Sequence, residues 1–364
     1  MNRDVRVKKV ILAVPYLSGK GGTETVIKNF YEAVVAPSRN INWKLISFGG
    51  SRYPDWMKNW NKYVFNFSNK RIVQLGAYAT ILPVLLYKII KEEQPDYFIA
   101  TNPVIWNLAA KFKTKYSPAT KIIAWYHYSY KMKNVNLKYL KGVDRFWAIS
   151  TGIKNELINY GISSSKIDVV FNPINLKKDS LIKRSNRKNH FIYIGRIDYD
   201  GQKNVSELMR ALNLVKEDFI LDLYGAVDSE TKNKLLSLID DKNKKDRIIF
   251  HGFSTNVWEK INEADGIILT SKFEGLPMVL CEAGSRGIPI IAANCPTGIM
   301  DIVNNDNGFL YPSGNIQKLG HLLSNIINGT ITLPNSKKIS TSINRFSYES
   351  YYTRISKSLK KGNS

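Results

Sequence analysis

The segment 267–291 constrains the fold more than any other part of the chain. Its first four and its last four residues are largely apolar runs rich in isoleucine, typical of buried parallel strands. Between them, residues 276–284 are predicted to form a helix with Pro277 in its first turn, where a missing N–H costs nothing. The intervening loop, 271–275, would then lie at the carboxyl end of a strand and the amino end of a helix, where open α/β sheets bind ligands.

Two carboxylates lie on this loop and helix. Glu274 is the last charged residue before the predicted helix, and Glu282 lies eight positions later, about two turns along it. A carboxylate accepts two hydrogen bonds and so suits the vicinal hydroxyls of ribose or a hexose, and the helix N–H groups near Gly275 and Leu276 favour an anion. From spacing alone, a helix-start charge and a solvated helix position explain the two residues equally well.

Residues 273–283 read F-E-G-L-P-x-x-x-x-E-A. This pattern closely resembles the E-x7-E signature of family 4 glycosyltransferases, which are retaining and use nucleotide sugars. The resemblance implies the GT-B fold, an α/β architecture of two doubly wound Rossmann-like domains facing a cleft. It covers nearly the whole chain, most strongly residues 190–312 and most weakly residues 40–90.

Composition agrees with a two-domain globular protein. The chain has 364 residues, 44% of them hydrophobic and 12% aromatic. Its two cysteines, Cys281 and Cys295, provide neither a disulfide framework nor a metal cluster. The apolar run 10–14 is too short for a signal peptide, so we expect a cytoplasmic location.

The charge is strongly asymmetric. The net charge is +23, and residues 1–183 carry 29 basic and 11 acidic side chains, against 24 and 19 in residues 184–364. Such an excess in the first half suits an anionic phospholipid, phosphorylated glycan or nucleic acid partner. The alternative is that the charge only keeps the surface soluble, and charge alone does not distinguish between these explanations.

Three segments of the first half bear on a membrane partner. Residues 52–71 interleave aromatic with basic side chains, which suits a membrane interface, although an ordinary surface loop with strands explains them slightly better. These residues are Tyr53, Trp56, Trp60, Tyr63, Phe65 and Phe67 with Arg52, Lys58, Lys62, Lys70 and Arg71. Residues 72–90 are borderline for a membrane span, but the strand after them favours a buried or groove-lining helix. The basic loop 131–141 is a candidate contact for phosphate groups on an acceptor or lipid.

Two candidate sites follow predicted strands of the first half. Gly21 and Gly22 come after the strand 9–16 and would let the backbone approach a ligand closely, with a spacing that matches neither a dinucleotide nor a P-loop motif. The resemblance implies that they border the donor phosphates, while Glu24 is equally a helix-start charge or a ligand. His127 follows the strand 121–125. A lone histidine is usually structural, but the resemblance implies a place beside the transferred sugar.

Two cations follow the first strand of the second half, residues 190–195. In isolation Arg196 and Lys203 would be surface charges, but their resemblance to the family's G-R and K-N pairs implies that they hold the donor diphosphate. There they would also stabilise the UDP leaving group. Asp198 and Asp200 lie in the turn between them, so we interpret this Asp-x-Asp as structural and predict no metal and no other cofactor.

The remaining donor contacts also come from the resemblance. Gly252 and Phe253, after the strand 247–253, would pack against the uracil, and a helix is predicted from there to Ala264. Gly275, Leu276 and Pro277 would face the donor with Glu274, and Glu282 would bind the ribose. In the loop 294–301, Thr297, Gly298 and Asp301 are close to the version in lipopolysaccharide 1,6-galactosyltransferase-like enzymes.

The sequence therefore predicts an acceptor-binding domain over residues 1–180, a nucleotide-sugar domain over 181–345, and a helix over 346–364 that crosses back to the first domain. The polar linker is 176–189. The expected reaction is retaining transfer of a hexose from UDP-galactose, UDP-glucose or UDP-N-acetylglucosamine to a cell-envelope glycan such as lipopolysaccharide, exopolysaccharide or teichoic acid. Because no second carboxylate has a persuasive place, we expect a same-face displacement. The expected location is the inner face of the cell membrane, without nucleic acid.

Three alternatives use the same observations. A UDP-sugar epimerase of the same fold would need no acceptor, and its products would identify it. A basic, non-enzymatic binding protein such as a nucleic-acid binder would explain the charge, and would bind DNA in a salt-dependent way without nucleotide-sugar affinity. A catalytically inactive scaffold would keep the fold, but the intact pairs of glutamates and cations argue against it.

Overall fold

The computed structural model describes residues 6–67, 71–176, 181–185 and 189–361. Two compact units make up the chain, one of Met1–Asn175 with Tyr348–Ser364 and the other of Leu176–Ser347. The predicted linker includes residues 177–180 and 186–188, which lie outside the described residues.

The first unit is built on a parallel sheet with seven described strands. These are β1 (Lys8–Leu17), β2 (Ile41–Ser51), β3 (Lys62–Phe65), β4 (Tyr97–Ala100), β5 (Lys121–Ala124), β6 (Arg145–Ala148) and β7 (Ile167–Val169). Their order is β3-β2-β1-β4-β5-β6-β7. Because the chain builds outward from β1 and then returns to add β4 on its other side, the topological switch point lies between β1 and β4, and a ligand crevice is expected at their carboxyl ends.

Helices connect these strands. They are α1 (Gly22–Phe30), which continues as a π-helical turn (Tyr31–Val35), α2 (Arg71–Glu93), α3 (Pro103–Tyr116) and α4 (Thr151–Asn159). The sequence sets where α3 begins, since the Asn102 side chain accepts the N–H of Val104 and Pro103 occupies the first helical position. Among the described residues, no helix is both long enough and apolar enough to cross a bilayer.

The aromatic and basic segment 52–71 divides between core and surface. Trp56 and Trp60 are buried, and the Trp60 ring stacks on Phe30 with 6.2 Å between ring centroids. A lipid-facing role for these two tryptophans is therefore wrong. Tyr53 and Tyr63 are exposed. Lys70 and the side chain of Arg71 lie outside the described part of the structure.

The second unit contains a six-stranded parallel sheet in its described residues. Its strands are β8 (His190–Ile194), β9 (Ile220–Tyr224), β10 (Ile248–Gly252), β11 (Gly266–Leu269), β12 (Ile290–Asn294) and β13 (Gly308–Pro312). The order is β10-β9-β8-β11-β12-β13, which places the switch point between β8 and β11. The helices are α5 (Val205–Leu214), α6 (Ser229–Leu236), α7 (Lys242–Lys245), α8 (Met278–Ser285), α9 (Ile316–Ile327) and α10 (Ser336–Ser342).

Two predictions for this unit are wrong in detail. The segment before Ala264 forms only a short 3₁₀ turn, Val257–Glu259, instead of a helix. Helix α8 begins at Met278, because Pro277 has an extended conformation (φ −72°, ψ 99°) and precedes the helix rather than occupying its first turn. The prediction of two doubly wound α/β folds is confirmed.

The last helix, α11 (Tyr348–Lys361), belongs to the first unit. Tyr351 and Ile355 on this helix are fully buried. The indole N–H of Trp147 donates to Ser358 Oγ at 2.8 Å, and Arg354 Nε donates to the Val170 carbonyl oxygen at 3.0 Å. The tail is thus an integral layer of this unit.

Candidate functional site

A buried ion pair lies at the switch point of the second sheet. Lys203, in the loop after β8, places its Nζ 2.6 Å from Oε1 of Glu274, in the loop after β11. The two side chains are only 17% and 8% exposed. The structure therefore brings together two residues that lie 71 positions apart and that the sequence assigned to one donor site.

Further hydrogen bonds join these two loops. The Thr270 hydroxyl donates to the Lys203 carbonyl oxygen at 3.0 Å, and the Lys272 N–H donates to the Gln202 carbonyl oxygen at 2.8 Å. Gln202 Nε2 in turn donates to the Phe273 carbonyl oxygen at 3.0 Å. The charged pair therefore sits on a cross-linked backbone, as expected for a site that binds without rearranging.

Asp198, the first residue of the Asp-x-Asp, shapes the turn before α5. Asp198 accepts the backbone N–H groups of Lys203 at 3.1 Å and of Asn204 at 2.9 Å, and so closes the turn that leads into α5. Arg196 lies on the same turn, its Nε 3.5 Å from Asp198 Oδ2, with 65% of its side chain exposed. Among the described residues, no group of three or more histidine, cysteine, aspartate or glutamate side chains could hold a metal ion.

The loop after β12 supports the Glu274 loop from its other side. The backbones of Glu274 and Thr297 form an isolated parallel bridge, and Thr297 has a positive φ of 87°. A Cβ on Gly298 would lie 2.2 Å from the Gly275 carbonyl oxygen, so this close approach requires glycine. Of the other predicted donor residues, Leu276 is buried.

Glu282 lies on α8 in a different environment from Glu274. Its Oε2 accepts the indole N–H of Trp258 at 2.9 Å, and burial raises the pKa of its carboxyl group. Gly252, at the end of β10, has φ +72°, and the Phe253 side chain after it is half exposed. Gly252 and Phe253, which were predicted to pack against the uracil, therefore lie only a few residues before Trp258, the residue that donates to Glu282.

The predicted glycine pair of the first unit begins helix α1. Gly21 is the residue before the helix and Gly22 is its first residue. Glu24, only 4% exposed, accepts the Gly19 N–H at 2.7 Å and the Ser18 hydroxyl at 3.2 Å. Its carboxylate therefore holds the turn before the helix, and the N–H groups of Gly21 and Gly22 stand at the positive end of the helix dipole.

His127 lies beyond the carboxyl end of β5. Both ring nitrogens are buried and have no hydrogen-bond partner among the described residues, and its ring lies 4.5 Å from that of Trp125. Burial lowers the pKa of His127 to about 3, so the imidazole is neutral near pH 7. Thr101 Oγ1 and Asn172 Oδ1, beyond the ends of β4 and β7, are likewise buried and unpartnered. Such groups need an explanation, and a ligand provides one.

Comparison with known proteins identifies the family. The family model described as "Glycosyltransferase Family 4" matches residues 20–178, and that described as "Glycosyl transferases group 1" matches residues 177–343. The lipopolysaccharide 1,6-galactosyltransferase of Escherichia coli (strain K12) is 35% identical over 351 residues, which cover 94% of this chain and 95% of that protein. The chain is a family 4 glycosyltransferase.

Solved structures agree with this assignment. The apo form of the lipopolysaccharide outer core galactosyltransferase WaaB superposes on this glycosyltransferase with a TM-score of 0.85 at 28% identity, covering 97% of this chain and 99% of that one. The fold class predicted from the sequence, GT-B, is confirmed. Anabaena Alr3699/HepE, solved in complex with UDP-glucose, shares the fold with a TM-score of 0.75 at 18% identity, covering 97% and 99% of the two chains.

Sequence reasoning missed Trp258, which donates a hydrogen bond to Glu282 of the candidate site. Trp258 lies in a polar stretch that resembles a surface helix, so hydrophobic periodicity gives it no role. One signal was available, since six of the seven tryptophans precede residue 148 and Trp258 is the only one in the second half. A large aromatic side chain with a single N–H donor, isolated in polar sequence, usually has a specific partner.

Proposed function

We propose that this glycosyltransferase transfers a hexose, with retention of anomeric configuration, from a UDP-sugar to a cell-envelope glycan. The observation that carries the proposal is the buried pair of Lys203 and Glu274 at the switch point, with Arg196 exposed beside it. The relative from E. coli is named as a galactosyltransferase, so UDP-galactose is the first donor to test, followed by UDP-glucose and UDP-N-acetylglucosamine.

The charges at the switch point suit a nucleotide diphosphate. Lys203 has three N–H donors and gives one of them to Glu274, which leaves two for phosphate oxygens. Arg196 adds a planar fork of donors, and its contact with Asp198 is long enough to exchange for a phosphate. Glu274 has a second oxygen that would accept a hydroxyl of the hexose.

The mechanism that we propose is a displacement on one face of the sugar. The bond between the anomeric carbon and the diphosphate oxygen breaks while the bond to the acceptor oxygen forms on the same face. The acceptor hydroxyl gives its proton to the departing phosphate, whose charge Arg196 and Lys203 stabilise. A double displacement would need a free carboxylate at the anomeric carbon, whereas Glu274 is held by Lys203. With two cations beside the diphosphate, the proposed mechanism requires no metal ion.

We assign the acceptor to the first unit. His127 is neutral and can donate one hydrogen bond and accept another, which fits a sugar hydroxyl. The loop after β5 is anchored by Glu156, which accepts the Ser129 hydroxyl at 2.6 Å and the Tyr130 N–H at 2.9 Å. The residues after Tyr130 include the exposed lysines Lys131, Lys133 and Lys138, which suit a phosphorylated glycan.

An anionic membrane is the surface that this loop fits best. Met132 and Leu137 are about half exposed between the exposed lysines Lys131, Lys133 and Lys138. Helix α2 also presents exposed apolar residues, Val73, Ile81 and Val84, and α3 contacts both α2 and the turn Leu137–Leu140. Apolar side chains beside lysines favour the headgroup region of acidic lipid. We therefore place the enzyme on the inner face of the cell membrane, as a peripheral protein.

The test is release of UDP from a panel of UDP-sugars, with and without EDTA, by the wild type and by Glu274→Ala. We expect slow hydrolysis of one donor, unaffected by EDTA and lost in the variant. Glu230→Ala is the matched control, because it removes a carboxylate from the exposed pair with Lys234 in the same unit. Binding of a different nucleotide sugar would refute the UDP assignment, and loss of activity in EDTA would refute the metal-free one.

A further inference from the structure

The side chain of Trp258 links two separate parts of the second unit. It lies in the turn Val257–Glu259, which follows β10, and its indole N–H reaches Oε2 of Glu282 on α8 at 2.9 Å. The indole is half buried. The bond therefore fixes the orientation of the Glu282 carboxylate and at the same time the path of the chain after Phe253.

Arg286 holds the tryptophan in place. Its guanidinium carbon lies 4.6 Å from the centroid of the indole ring, and its Nη1 donates to the Glu282 carbonyl oxygen at 2.9 Å. The guanidinium thus lies over the ring, and no ion pair joins it to the Glu282 carboxylate among the described residues. Arg286 directly follows the last residue of α8, so the indole is held at the end of the helix that carries Glu282.

The two glutamates of the site are therefore held differently. Glu274 is paired with a cation, whereas no ion pair reaches Glu282 among the described residues and its donor is the neutral N–H of Trp258. A neutral donor fixes one carboxylate oxygen without cancelling the charge. The second oxygen, Oε1, keeps its strength as an acceptor.

We propose that Trp258 is a positioning residue for the nucleotide, which fixes Oε2 of Glu282 so that Oε1 accepts the vicinal hydroxyls of the donor ribose, with Arg286 fixing the indole. This inference rests on the proposed function, since it requires a ribonucleotide donor. It assigns the discrimination between ribose and 2′-deoxyribose to a hydrogen bond outside the E-x7-E pattern.

The chemistry predicts a specific defect when the N–H is removed. In Trp258→Phe the ring remains, but the buried carboxylate loses its donor, so it can rotate and its pKa rises further above the ordinary range. Both changes weaken the hydrogen bonds to the ribose. Contacts to the diphosphate, which come from Lys203 and Arg196, stay as they are.

The experiment compares the Kd of UDP with that of 2′-deoxy-UDP by calorimetry, for the wild type, Trp258→Phe and Arg286→Met. We expect the wild type to prefer UDP by about tenfold or more, the value of one hydrogen bond to a charged group. The preference should fall towards one in Trp258→Phe and by a smaller factor in Arg286→Met. Trp56→Phe is the matched control, because its indole N–H donates to Ser51 in the first unit.

Each outcome decides between the two ideas. If the wild type binds UDP with the expected preference and both variants keep that preference, the inference is overturned and the proposed function stands. A purely structural role for Trp258 would weaken both nucleotides equally and would also overturn it. If the wild type binds no uridine nucleotide, the proposed function fails and the inference fails with it. Should Trp258→Phe not fold, Arg286→Met carries the same comparison.

Discussion

At the carboxyl ends of its strands, the second unit pairs its charged side chains with one another, although Ser271 Oγ is buried without a partner among the described residues, whereas the first unit leaves several buried polar groups unpartnered. Lys203 and Glu274 form a closed pair at the switch point. In the first unit, among the described residues, His127, Thr101 and Asn172 have buried polar atoms without a hydrogen-bond partner. The comparison indicates two kinds of binding. In our proposal, the second unit offers a preorganised site to a charged donor, and a bound acceptor completes the hydrogen bonds of the first unit.

The largest effect is expected from removing one partner of the ion pair between Lys203 and Glu274. Glu274→Ala should lower the transfer rate by about 10²- to 10³-fold, as for loss of a preorganised electrostatic contact. It should also lower the free energy of unfolding by about 3 kcal/mol, because Lys203 is left buried without its partner. Steady-state kinetics and urea titration measure the two effects.

The double variant Lys203→Met with Glu274→Leu is the control for this prediction. It should recover most of the lost stability, since an apolar pair replaces the ions, yet remain inactive. If the double variant is as unstable as Glu274→Ala, the pair is not a closed unit and the contrast between the two sites is wrong.

His127 tests the opposite case in the first unit. His127→Phe removes two unpartnered nitrogens from a buried position, so stability should be unchanged or slightly higher. Transfer to the acceptor should fall about tenfold to hundredfold, the value of one or two hydrogen bonds. Hydrolysis of the donor in the absence of acceptor should stay within twofold of the wild type. A large loss of stability would show that the imidazole has a structural partner.

The pH dependence of stability sharpens the same contrast. Burial lowers the pKa of His127 to about 3 from its ordinary 6.5, so below pH 6.5 the unfolded chain binds a proton that the folded chain does not. The free energy of unfolding should therefore decrease as the pH falls from 6.5 towards 3, with a contribution from His127 of up to about 1.4 kcal/mol per pH unit. In His127→Phe, the free energy of unfolding should depend less steeply on pH by this amount. Equal pH dependence in the wild type and the variant would contradict the buried, neutral imidazole.

The smallest expected effect concerns the basic surface of the first unit. The substitution Lys133→Gln should weaken partition to vesicles containing phosphatidylglycerol about fivefold, because one basic residue near an acidic bilayer contributes about 1 kcal/mol to the binding free energy. Lys234→Gln, an exposed lysine of the second unit, is the control. Equal losses in both variants would mean that overall charge, and not this loop, attracts the membrane.

Local pattern was enough for most of the fold. Residues 9–16 and 190–195 were predicted as strands, and the structure has strands at Lys8–Leu17 and His190–Ile194. Continuous apolar runs and helical periodicity carry this information within a few residues. The helix predicted up to Ala264 failed because the polar stretch there is organised by a distant contact, that of Trp258 with Glu282.

The candidate site was predictable in its residue types and not in its pairing. The resemblance to the family's E-x7-E pattern pointed to Glu274 and Glu282, and the resemblance to its G-R and K-N pairs pointed to Arg196 and Lys203. That Lys203 would neutralise Glu274 follows from which strands are neighbours, since β8 and β11 are adjacent only because the chain reverses direction across the sheet. The different environment of Glu282 depends on a side chain that sequence spacing does not connect to it.

The position of α11 bears on how the protein is made. The first unit contains residues 1–175 but is completed by residues 348–364, which are synthesised after the whole of the second unit. Until then Trp147 and Asp168 lack their hydrogen bonds with Ser358, and the Val170 carbonyl lacks its hydrogen bond from Arg354. During synthesis the second unit therefore has all of its own residues available before the first does. A nascent chain that ends before residue 348 would expose an incomplete first unit, the part that carries most of the positive charge, so the first unit completes its fold only after the second unit has been synthesised.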